Sequence, residues 1–391
     1  MRDIITLQGL SVVGTYANRG LVLDEGEGVW LKDPSGERYL DLMTNYGVNI
    51  FGHGHPEITE TLSAQIRRLT TLHGSFANGV RAEAARALLA RCGGGLSRVY
   101  FANSGAEAIE AAIKFAVLAT GKKRFVRCRS GYHGKTLGAL SATDGPKYRT
   151  AFEPLLWEFE DIPFDDPMAL EAAVDGRTAG FIVEPIQGEG GVHQASAGYL
   201  KRASELCAAR GALLIVDEIQ TGCGRTGTFL ASSSEIPRYD IVTLGKGLAG
   251  GIPVGATLVS AWVAARIPKS SHTSTFGGSP LAAAGILAVL WLLDENTLTH
   301  VREMGAYFAR RLGEAGLGVA AEVRGTGLML GVRAKAGRDL ILRELQREKI
   351  LACPAGTDVV RFLPPYIITR EQIDDAMPGI VRAFEASGAE D

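Results

Sequence analysis

The sequence is poor in cysteine, with five thiols in 391 residues and no Cys-X-X-Cys spacing. They are scattered along the chain, at Cys92, Cys128, Cys207, Cys223 and Cys353. An odd and dispersed set is typical of a protein without a disulfide framework. We therefore expect free thiols in a reducing compartment.

The chain also lacks an excess of charge and a long apolar run. Its 41 Lys and Arg residues nearly balance 43 Asp and Glu residues, so the formal net charge of −2 indicates neither a nucleic-acid nor an anionic-membrane partner. No apolar stretch reaches the ~18 residues of a membrane helix. No N-terminal segment has the basic-then-apolar pattern of a signal peptide, and repeats are missing too. These absences predict a cytoplasmic globular protein of the size of an enzyme, and the length of 391 residues allows two or three domains.

Apolar strands alternate with helices from about Pro56 to the 270s. Such alternation predicts an α/β fold with a mostly parallel sheet covered on both faces. Ligands of such sheets bind beyond the carboxyl ends of the strands. The predicted elements are strands 99–101, 124–128, 179–183, 213–216, 241–244 and 255–259, and helices 106–119 and 199–210.

The two ends of the chain have a different pattern. Residues 26–42 have the pattern of two short strands joined by a turn. After Pro280, helix-forming stretches at 281–293 and about 298–315 lead to an apolar strand pattern at 323–332, which is typical of a smaller α+β domain. We predict an N-terminal segment that joins the small domain, a large cofactor-binding domain and a small C-terminal domain, at residues 1–45, 46–279 and 280–391.

Two strand ends carry a lysine and an acid that can meet in one cleft. Strand 241–244 leads into Lys246 among several glycines, and strand 212–216 ends at Asp217. Pyridoxal 5'-phosphate needs such a pair, a lysine for its Schiff base and a carboxylate that keeps the pyridine nitrogen protonated. Taken alone, Lys246 would more readily be a surface residue of a glycine loop.

Two further loops suit the same cofactor. Ser104 and Gly105 stand between a strand and a helix, where unpaired backbone N–H groups favour a phosphate, although Ser104 alone would more often be only a helix cap. Tyr132 follows strand 124–128 and can lie flat on a planar ring, but core packing is the commoner role. His133 has no partner spacing that suggests a metal, and we interpret it as a structural or cleft histidine.

Polar residues also stand at other strand ends. Glu184 and Glu189 share a glycine-rich run, where burial of two carboxylates is costly without a purpose, although a solvated loop is the alternative. Gln220 follows the strand-end acid by three residues, and Thr275 lies in a turn that opens a helix. Arg361 ends a predicted strand at 358–361 and suits a two-pronged clamp on a carboxylate, though a lone arginine is more often at the surface.

Seven blocks of the sequence resemble, in order and spacing, the class III pyridoxal-phosphate aminotransferases of fold type I. The likeness runs from about Thr15 to the last helix. A finer resemblance, at 323–329 and 361–366, is to the acetylornithine/ornithine branch and to enzymes that act on a lysine precursor attached to a carrier protein. The seven blocks are FGHGHP at 51–56, NSGAEA at 103–108, YHGKT at 132–136, EPIQGEGG at 184–191, DEIQTG at 217–222 with GRTG at 224–227, LGKGL at 244–248 and STFGG at 274–278.

The resemblance implies how the cofactor ring is held. Lys246 is expected to form the Schiff base and then to move the substrate proton. Asp217 is expected to pair with the pyridinium nitrogen, and Gln220 to bond the phenolic oxygen of the ring. Tyr132 and Ile219 are expected to cover the two faces of the ring.

The resemblance also implies the phosphate site. Ser104, Gly105 and Ala106 are expected to cradle the phosphate, with Thr275 supplied by the other subunit of a homodimer whose active sites are shared. Ala106 stands where the family usually has a threonine, which removes a hydroxyl but no backbone N–H. Ser279 likewise replaces the usual asparagine.

For the substrates, the resemblance implies that Arg361 takes the α-carboxylate of glutamate or 2-oxoglutarate. Glu189 is expected to cover that arginine when the donor is a terminal amine. Lys135 stands where the acetylornithine branch has an arginine for the distal carboxylate of the substrate. Lysine keeps the charge but loses the planar fork, and it also occurs in the putrescine-type branch.

We therefore predict a homodimeric aminotransferase that moves a terminal amino group from an acetylornithine/ornithine- or lysine-precursor-like donor to 2-oxoglutarate, giving a semialdehyde and glutamate. The donor is free or bound to a carrier protein. A diamine such as putrescine, or a 4-aminobutyrate-like donor, is the alternative. A silent fold-type-I binding protein would not need Lys246, Asp217 and Gln220. A racemase or decarboxylase of the same class is not separated by the cofactor residues.

Overall fold

The computed structural model describes residues 2–318, 320–334 and 337–386. Over these residues the helices are α1 (Arg2–Ser11), α2 (Thr44–Gly47), α3 (Pro56–Arg68), α4 (Gly79–Cys92), α5 (Gly105–Thr120), α6 (Leu137–Ala142), α7 (Pro146–Arg149), α8 (Pro167–Ala173), α9 (Tyr199–Arg210), α10 (Ala261–Ala264), α11 (Pro280–Leu292), α12 (Glu295–Glu314), α13 (Arg338–Arg347) and α14 (Arg370–Ala386). Short 3-10 turns cover Thr150–Phe152 and Lys246–Ala249.

The strands of the described residues form three larger sheets and one small ribbon. They are β1 (Glu25–Glu27), β2 (Trp30–Lys32), β3 (Arg38–Asp41), β4 (Leu96–Ala102), β5 (Arg124–Cys128), β6 (Glu158–Ile162), β7 (Thr178–Val183), β8 (Ile186–Gln187), β9 (His193–Gln194), β10 (Leu213–Asp217), β11 (Ile241–Leu244), β12 (Gly255–Ser260), β13 (Ala320–Thr326), β14 (Met329–Ala334), β15 (Ile350–Leu351), β16 (Cys353–Ala355) and β17 (Val359–Phe362).

A seven-stranded sheet in the order β4-β12-β11-β10-β7-β5-β6 forms the centre of the molecule. The pairs from β11 to β6 are parallel, whereas β12 is antiparallel to both of its neighbours. Every residue of β5, β7, β10 and β11 is buried, as expected for parallel strands with both faces covered. The predicted α/β class and its mostly parallel sheet are confirmed.

The helix α5 lies against the middle of this sheet and contacts β4, β7, β10, β11 and β12. The side chain of Ser104 accepts a hydrogen bond from the backbone of Glu107 and so caps the helix N-terminus. Gly121 ends the helix in the left-handed conformation, with φ of +73°. The N-terminus of α5 therefore points from the end of β4 toward the edge of the sheet at which ligands of α/β proteins bind.

Two smaller sheets flank the large one. The order β13-β14-β17-β16 is antiparallel throughout, and it brings Arg361 of β17 opposite Gly331 of β14. The other sheet joins distant parts of the chain, because β3 pairs in parallel with β15 through Leu40 and Ile350. The domain limits at residues 45 and 279 stay a prediction.

Some predicted boundaries were wrong. The second C-terminal helix begins at Glu295 rather than near 298, because the side chain of Asp294 caps it by accepting a hydrogen bond from the backbone of Thr297. The expectation of free thiols is confirmed, since all five cysteines are unpaired and buried. Among the described residues no single helix is long and apolar enough to cross a membrane, and α11 and α12 pass that test only as a pair bent by 72°.

Candidate active site

The end of β10 and the loop after β11 bring an acid and a lysine to the same edge of the sheet. β10 ends at Asp217, which lies opposite Thr243 of the parallel strand β11. Lys246 lies two residues beyond the end of β11 and has a φ of +46°. A non-glycine residue in this left-handed region is strained by about 1–3 kcal/mol, so the surrounding fold must hold it there.

The environment of Lys246 favours the neutral amine. Burial lowers the pKa of Lys246 from 10.5 to about 8, and the positive charge of Arg361 acts in the same direction. The carboxylates of Asp217, Glu184 and Glu189 oppose this shift, because negative charge nearby stabilises the ammonium. Lys246 is therefore a nucleophile at a far lower pH than an exposed lysine.

We expect covalent capture of pyridoxal phosphate by the cofactor-free protein to accelerate with pH up to about 8 and then to level off. The neutral amine is the reactive form, and its fraction stops rising once the pH exceeds the pKa. Stopped-flow absorbance across the neutral and alkaline range measures the midpoint. Arg361→Gln should raise it, whereas Arg333→Gln, on an exposed arginine paired with Asp358, should not. A midpoint near the ordinary lysine value would contradict the expectation.

Three hydrogen-bond donors hold Asp217 in place. Nδ1–H of His133 donates to Oδ2 of Asp217 at 2.7 Å, because a carboxylate can only accept. The backbone N–H of Ile219 donates to Oδ1 at 3.0 Å and the hydroxyl of Thr243 to the same oxygen at 3.3 Å. His133 is thus the orienting partner of Asp217. Its sequence neighbours gave no sign of this contact, which joins residues 84 positions apart.

Glu184 ties two loops of the cleft together. Its carboxylate accepts the backbone N–H of Tyr132 at 2.9 Å and that of Gly188 at 3.3 Å. Burial raises the pKa of Glu184 to about 7, with the charge of Asp217 adding to the rise and that of His133 opposing it. Burial also raises the pKa of Tyr132 to about 12, so its phenol stays protonated. Glu184 therefore fixes the loop that carries the aromatic ring.

The start of α5 offers a cradle of backbone N–H groups. Ser104 caps the backbone of Glu107 with an N···O distance of 3.2 Å, and the helix begins at Gly105 and Ala106. A Cβ at Gly105 would come within 2.9 Å of the side chain of Ile219, so only glycine fits there. Gly134 approaches Ala106 as closely, since a Cβ there would lie 2.7 Å from that of Ala106. The first N–H groups of the helix have no partner within the helix and suit an anion.

Arg361 is fully buried and reaches the cleft from the small sheet. One terminal nitrogen donates to Oε1 of Gln220 at 2.8 Å, and the other donates to Oε2 of Glu189 at 3.0 Å. Its Nε–H has no partner among the described residues. The structure thus brings Arg361, Glu189 and Gln220 into one cluster, with a guanidinium donor left over for a further acceptor.

Sequence reasoning missed the turn α2 beside this cluster. Thr44, Asn45, Tyr46 and Gly47 have φ values of +43°, +51°, +60° and +91°, so the turn is left-handed. The carbonyl of Tyr46 accepts the amide of Gln220 at 3.3 Å, and the Tyr46 ring centroid lies 5.5 Å from the guanidinium carbon of Arg361. Hydrophobic periodicity carries no signal for four successive left-handed residues.

Two of the predicted site residues, Thr275 and Lys135, are exposed on this chain. Nζ of Lys135 stands 4.8 Å from the ring centroid of Tyr148. Within the parts of the chain that the structure describes, no group of three or more His, Cys, Asp or Glu residues is arranged to hold a metal.

The residues of the cleft fit pyridoxal phosphate. Gly105 leaves room for the side chain of Ile219 and adds no side chain of its own beside the N–H groups that suit the phosphate. Asp217 is buried and fixed by His133, as a carboxylate that faces a pyridinium requires. The lowered pKa of Lys246 suits a lysine that reacts with an aldehyde.

Comparison with known proteins decides the family. The model of the aminotransferase class-III family matches residues 14–384. The chain belongs to the class-III aminotransferases. The acetylornithine aminotransferase of Methanopyrus kandleri is 41% identical over 379 residues, which are 96% of this chain and 97% of that protein. The LysW-aminoadipate semialdehyde transaminase of Deinococcus radiodurans is 40% identical over 376 residues, covering 95% of this chain and 87% of the relative.

Solved structures of class-III aminotransferases share the fold. The ornithine aminotransferase of Toxoplasma gondii superposes with a TM-score of 0.94 at 36% identity, over 100% of this chain and 96% of the other. The acetylornithine aminotransferase of Elizabethkingia anophelis gives a TM-score of 0.86 at 31% identity, over 98% and 99% of the two chains. The protein is thus an aminotransferase of fold type I, and its family implies pyridoxal phosphate as the cofactor.

Proposed function

We propose that this class-III aminotransferase moves a terminal amino group from an acetylornithine-, ornithine- or lysine-precursor-like donor to 2-oxoglutarate, giving a semialdehyde and glutamate. The observation that carries the proposal is the fully buried Arg361, paired with Glu189 at the edge of the cleft. Relatives at 41% and 40% identity, named for acetylornithine and for LysW-aminoadipate semialdehyde, support it equally. The name of the second relative also points to a donor bound to a carrier protein.

The pair of Arg361 and Glu189 suits an enzyme whose two substrates bind alternately at the same site. A guanidinium binds the α-carboxylate of 2-oxoglutarate in two-pronged fashion, provided that Glu189 moves away. A donor that reacts through its terminal amine brings no carboxylate to that position, and Glu189 then neutralises the buried cation. The 30% exposure of the Glu189 side chain leaves it room to move, whereas Arg361 has none.

Pyridoxal phosphate supplies an electron sink when it is bound. We assign the phosphate to Ser104, Gly105 and Ala106, the ring nitrogen to Asp217 and the ring faces to Tyr132 and Ile219. Gln220, already bonded to Arg361, is assigned to the phenolic oxygen of the ring. Lys246 binds the cofactor and moves the proton from the donor carbon that bears the amine.

We further propose a homodimer in which Thr275 completes the phosphate site of the partner. Its exposure on this chain supports the assignment, because a threonine that serves its own site would face its own cleft. Occupancy of the cofactor should then fall when the dimer dissociates. Light scattering together with cofactor absorbance tests this, and a stable monomer with full cofactor would exclude it.

A panel of donors with 2-oxoglutarate as acceptor tests the proposed reaction. Acetylornithine, ornithine, a carrier-bound lysine precursor, putrescine and 4-aminobutyrate are compared by the rate at which glutamate forms. We expect one of the first three to give the highest kcat/KM. Preference for putrescine or 4-aminobutyrate would replace the proposed donor class, and no glutamate from any donor would refute the reaction.

Arg361→Ala should raise the KM for 2-oxoglutarate by about two to three orders of magnitude, the equivalent of ~3–4 kcal/mol for a lost charged and hydrogen-bonded contact. Lys135→Ala should raise it less, because the exposed ammonium is a point charge that lies over the ring of Tyr148 and cannot bind a carboxylate in two-pronged fashion. Steady-state kinetics with 2-oxoglutarate as the varied substrate measures both. Arg333→Ala, at an exposed arginine of the same sheet, is the matched control. The reverse order of effects would show that the two roles are exchanged.

A further inference from the structure

The carboxylate of Glu189 has a second partner besides Arg361. The hydroxyl of Tyr148, in the short helix α7, donates to Oε1 of Glu189 at 3.2 Å. Arg361 donates to the other oxygen, Oε2, at 3.0 Å. Each carboxylate oxygen of Glu189 therefore accepts one hydrogen bond, Oε2 from the guanidinium of Arg361 and Oε1 from the phenol of Tyr148. The roles proposed for Lys246 and for the phosphate site do not account for the hydrogen bond from this phenol.

The ring of Tyr148 is itself fixed on several sides. Its centroid lies 5.8 Å from that of Tyr132, in an edge-to-face arrangement. Nζ of Lys135 lies 4.8 Å from the same centroid and Nζ of Lys147 lies 4.5 Å from it. Aromatic and cation–π contacts of this kind orient a ring without restricting its hydroxyl. The phenol is thus presented to Glu189 from a ring that packs against the predicted cofactor-stacking residue.

We propose that Tyr148 is a positioning residue that holds Glu189 over Arg361 and thereby sets how often the arginine is free for a carboxylate. The inference rests on the proposed role of Arg361 as the α-carboxylate site. With the phenol bond made, Glu189 covers Arg361 and the cleft accepts a terminal amine. When 2-oxoglutarate binds, its carboxylate must displace Glu189, and the bond from Tyr148 adds to the cost of that displacement.

The two substrates should consequently respond in opposite directions to the loss of the hydroxyl. Loss of the Tyr148 hydroxyl destabilises the state in which Glu189 covers Arg361. It leaves the stability of the state in which Arg361 is free unchanged. The apparent affinity of a ligand falls with the fraction of protein that is ready to bind it. Tyr148 therefore favours the terminal-amine donor and disfavours every ligand that places a carboxylate on Arg361.

Tyr148→Phe tests the proposal, because it keeps the ring with its contacts to Tyr132, Lys135 and Lys147 and removes only the hydroxyl. We expect the KM for 2-oxoglutarate to fall by about five- to tenfold, the range of one net hydrogen bond. The kcat/KM for the terminal-amine donor should fall by a similar factor. Reaction of glutamate through its α-amine should rise. Steady-state kinetics with each substrate varied in turn measures the three changes.

A control variant and a double variant isolate the effect. Tyr307→Phe removes a phenol that donates to Asp374 at 2.7 Å, away from the cleft, and should change no kinetic constant by more than the error. In a Glu189→Ala background, Tyr148→Phe should have no further effect on the KM for 2-oxoglutarate. General loosening of the site would instead weaken both substrates together. Parallel weakening, or additive effects in the double variant, would overturn the proposal.

Arg361→Ala separates a failure of this inference from a failure of the proposed function. If Arg361→Ala leaves the KM for 2-oxoglutarate unchanged, Arg361 is not the carboxylate site and the proposed function fails with it. If Arg361→Ala raises that KM while Tyr148→Phe alters neither substrate, the carboxylate site stands and only the role of Tyr148 is wrong.

Discussion

Lys246→Ala should lower the rate of transamination by at least about 10⁴-fold, because one side chain supplies both the amine nucleophile and the proton transfer. Burial lowers the pKa of Lys246 to about 8, which favours the neutral amine that the reaction needs. The fold should survive, since Lys246 is the first residue of a 3-10 turn and its side chain makes no hydrogen bond to another described residue. Single-turnover absorbance and glutamate release measure the loss.

Two controls define this result. Lys246→Arg keeps a positive charge and should be as inactive as the alanine variant. This result would show that the reaction needs the amine nucleophile and not only the charge. Borohydride treatment should fix the cofactor to the parent protein and not to either variant. Turnover of Lys246→Ala near the parental rate would show that another residue carries the covalent chemistry.

Asp217→Asn should lower kcat by about 10²–10⁴-fold, the equivalent of ~3–5 kcal/mol for a broken buried ionic contact, while cofactor occupancy changes much less. The amide oxygen can still accept the backbone N–H of Ile219, and the amide nitrogen can donate to Nδ1 of His133 in its other tautomer, but the side chain brings no negative charge to a pyridinium. The backbone cradle at the start of α5 is untouched and keeps its hold on the phosphate. Cofactor absorbance at equilibrium and kcat at saturating substrate measure the two quantities.

Asp240→Asn is the matched control for this variant. Asp240 is a partly buried carboxylate at the opposite end of β11, where it accepts the backbone N–H of Leu214 at 3.0 Å. Its replacement should affect stability and leave kcat unchanged. An unchanged kcat for Asp217→Asn would remove Asp217 from the chemistry. Equal losses of kcat and of bound cofactor would show that Asp217 retains the cofactor and has no separate part in the chemistry.

The fold could be predicted from the sequence to the extent that it depends on local pattern. Buried apolar runs such as β7 and β10 and the capped start of α5 are visible as short segments of sequence. The antiparallel direction of β12 was not visible, because its apolar pattern is the same for either direction. The polar strand β6, with the sequence Glu-Phe-Glu-Asp-Ile, was missed because its polar and apolar residues do not alternate regularly.

The site was predicted only where a residue stands at a strand end or belongs to a recognisable block. Asp217 and Lys246 satisfy both conditions, and the structure places them at one edge of the sheet. Tyr46 and Tyr148 satisfy neither, because they reach the cluster through a left-handed turn and a four-residue helix. Their partners are between 41 and 174 positions away, a separation that no local pattern encodes.

Arg361 belongs to a different sheet from the residues that face the cofactor. β17 carries it, whereas Asp217 and Lys246 follow strands of the large sheet. On the proposed assignment, the acceptor pocket therefore lies between two sheets, and a small shift of one sheet against the other would alter carboxylate selectivity without disturbing Lys246. Variation in β16 and β17 is the natural route by which such a protein could exchange one acceptor for another while its chemistry stays constant.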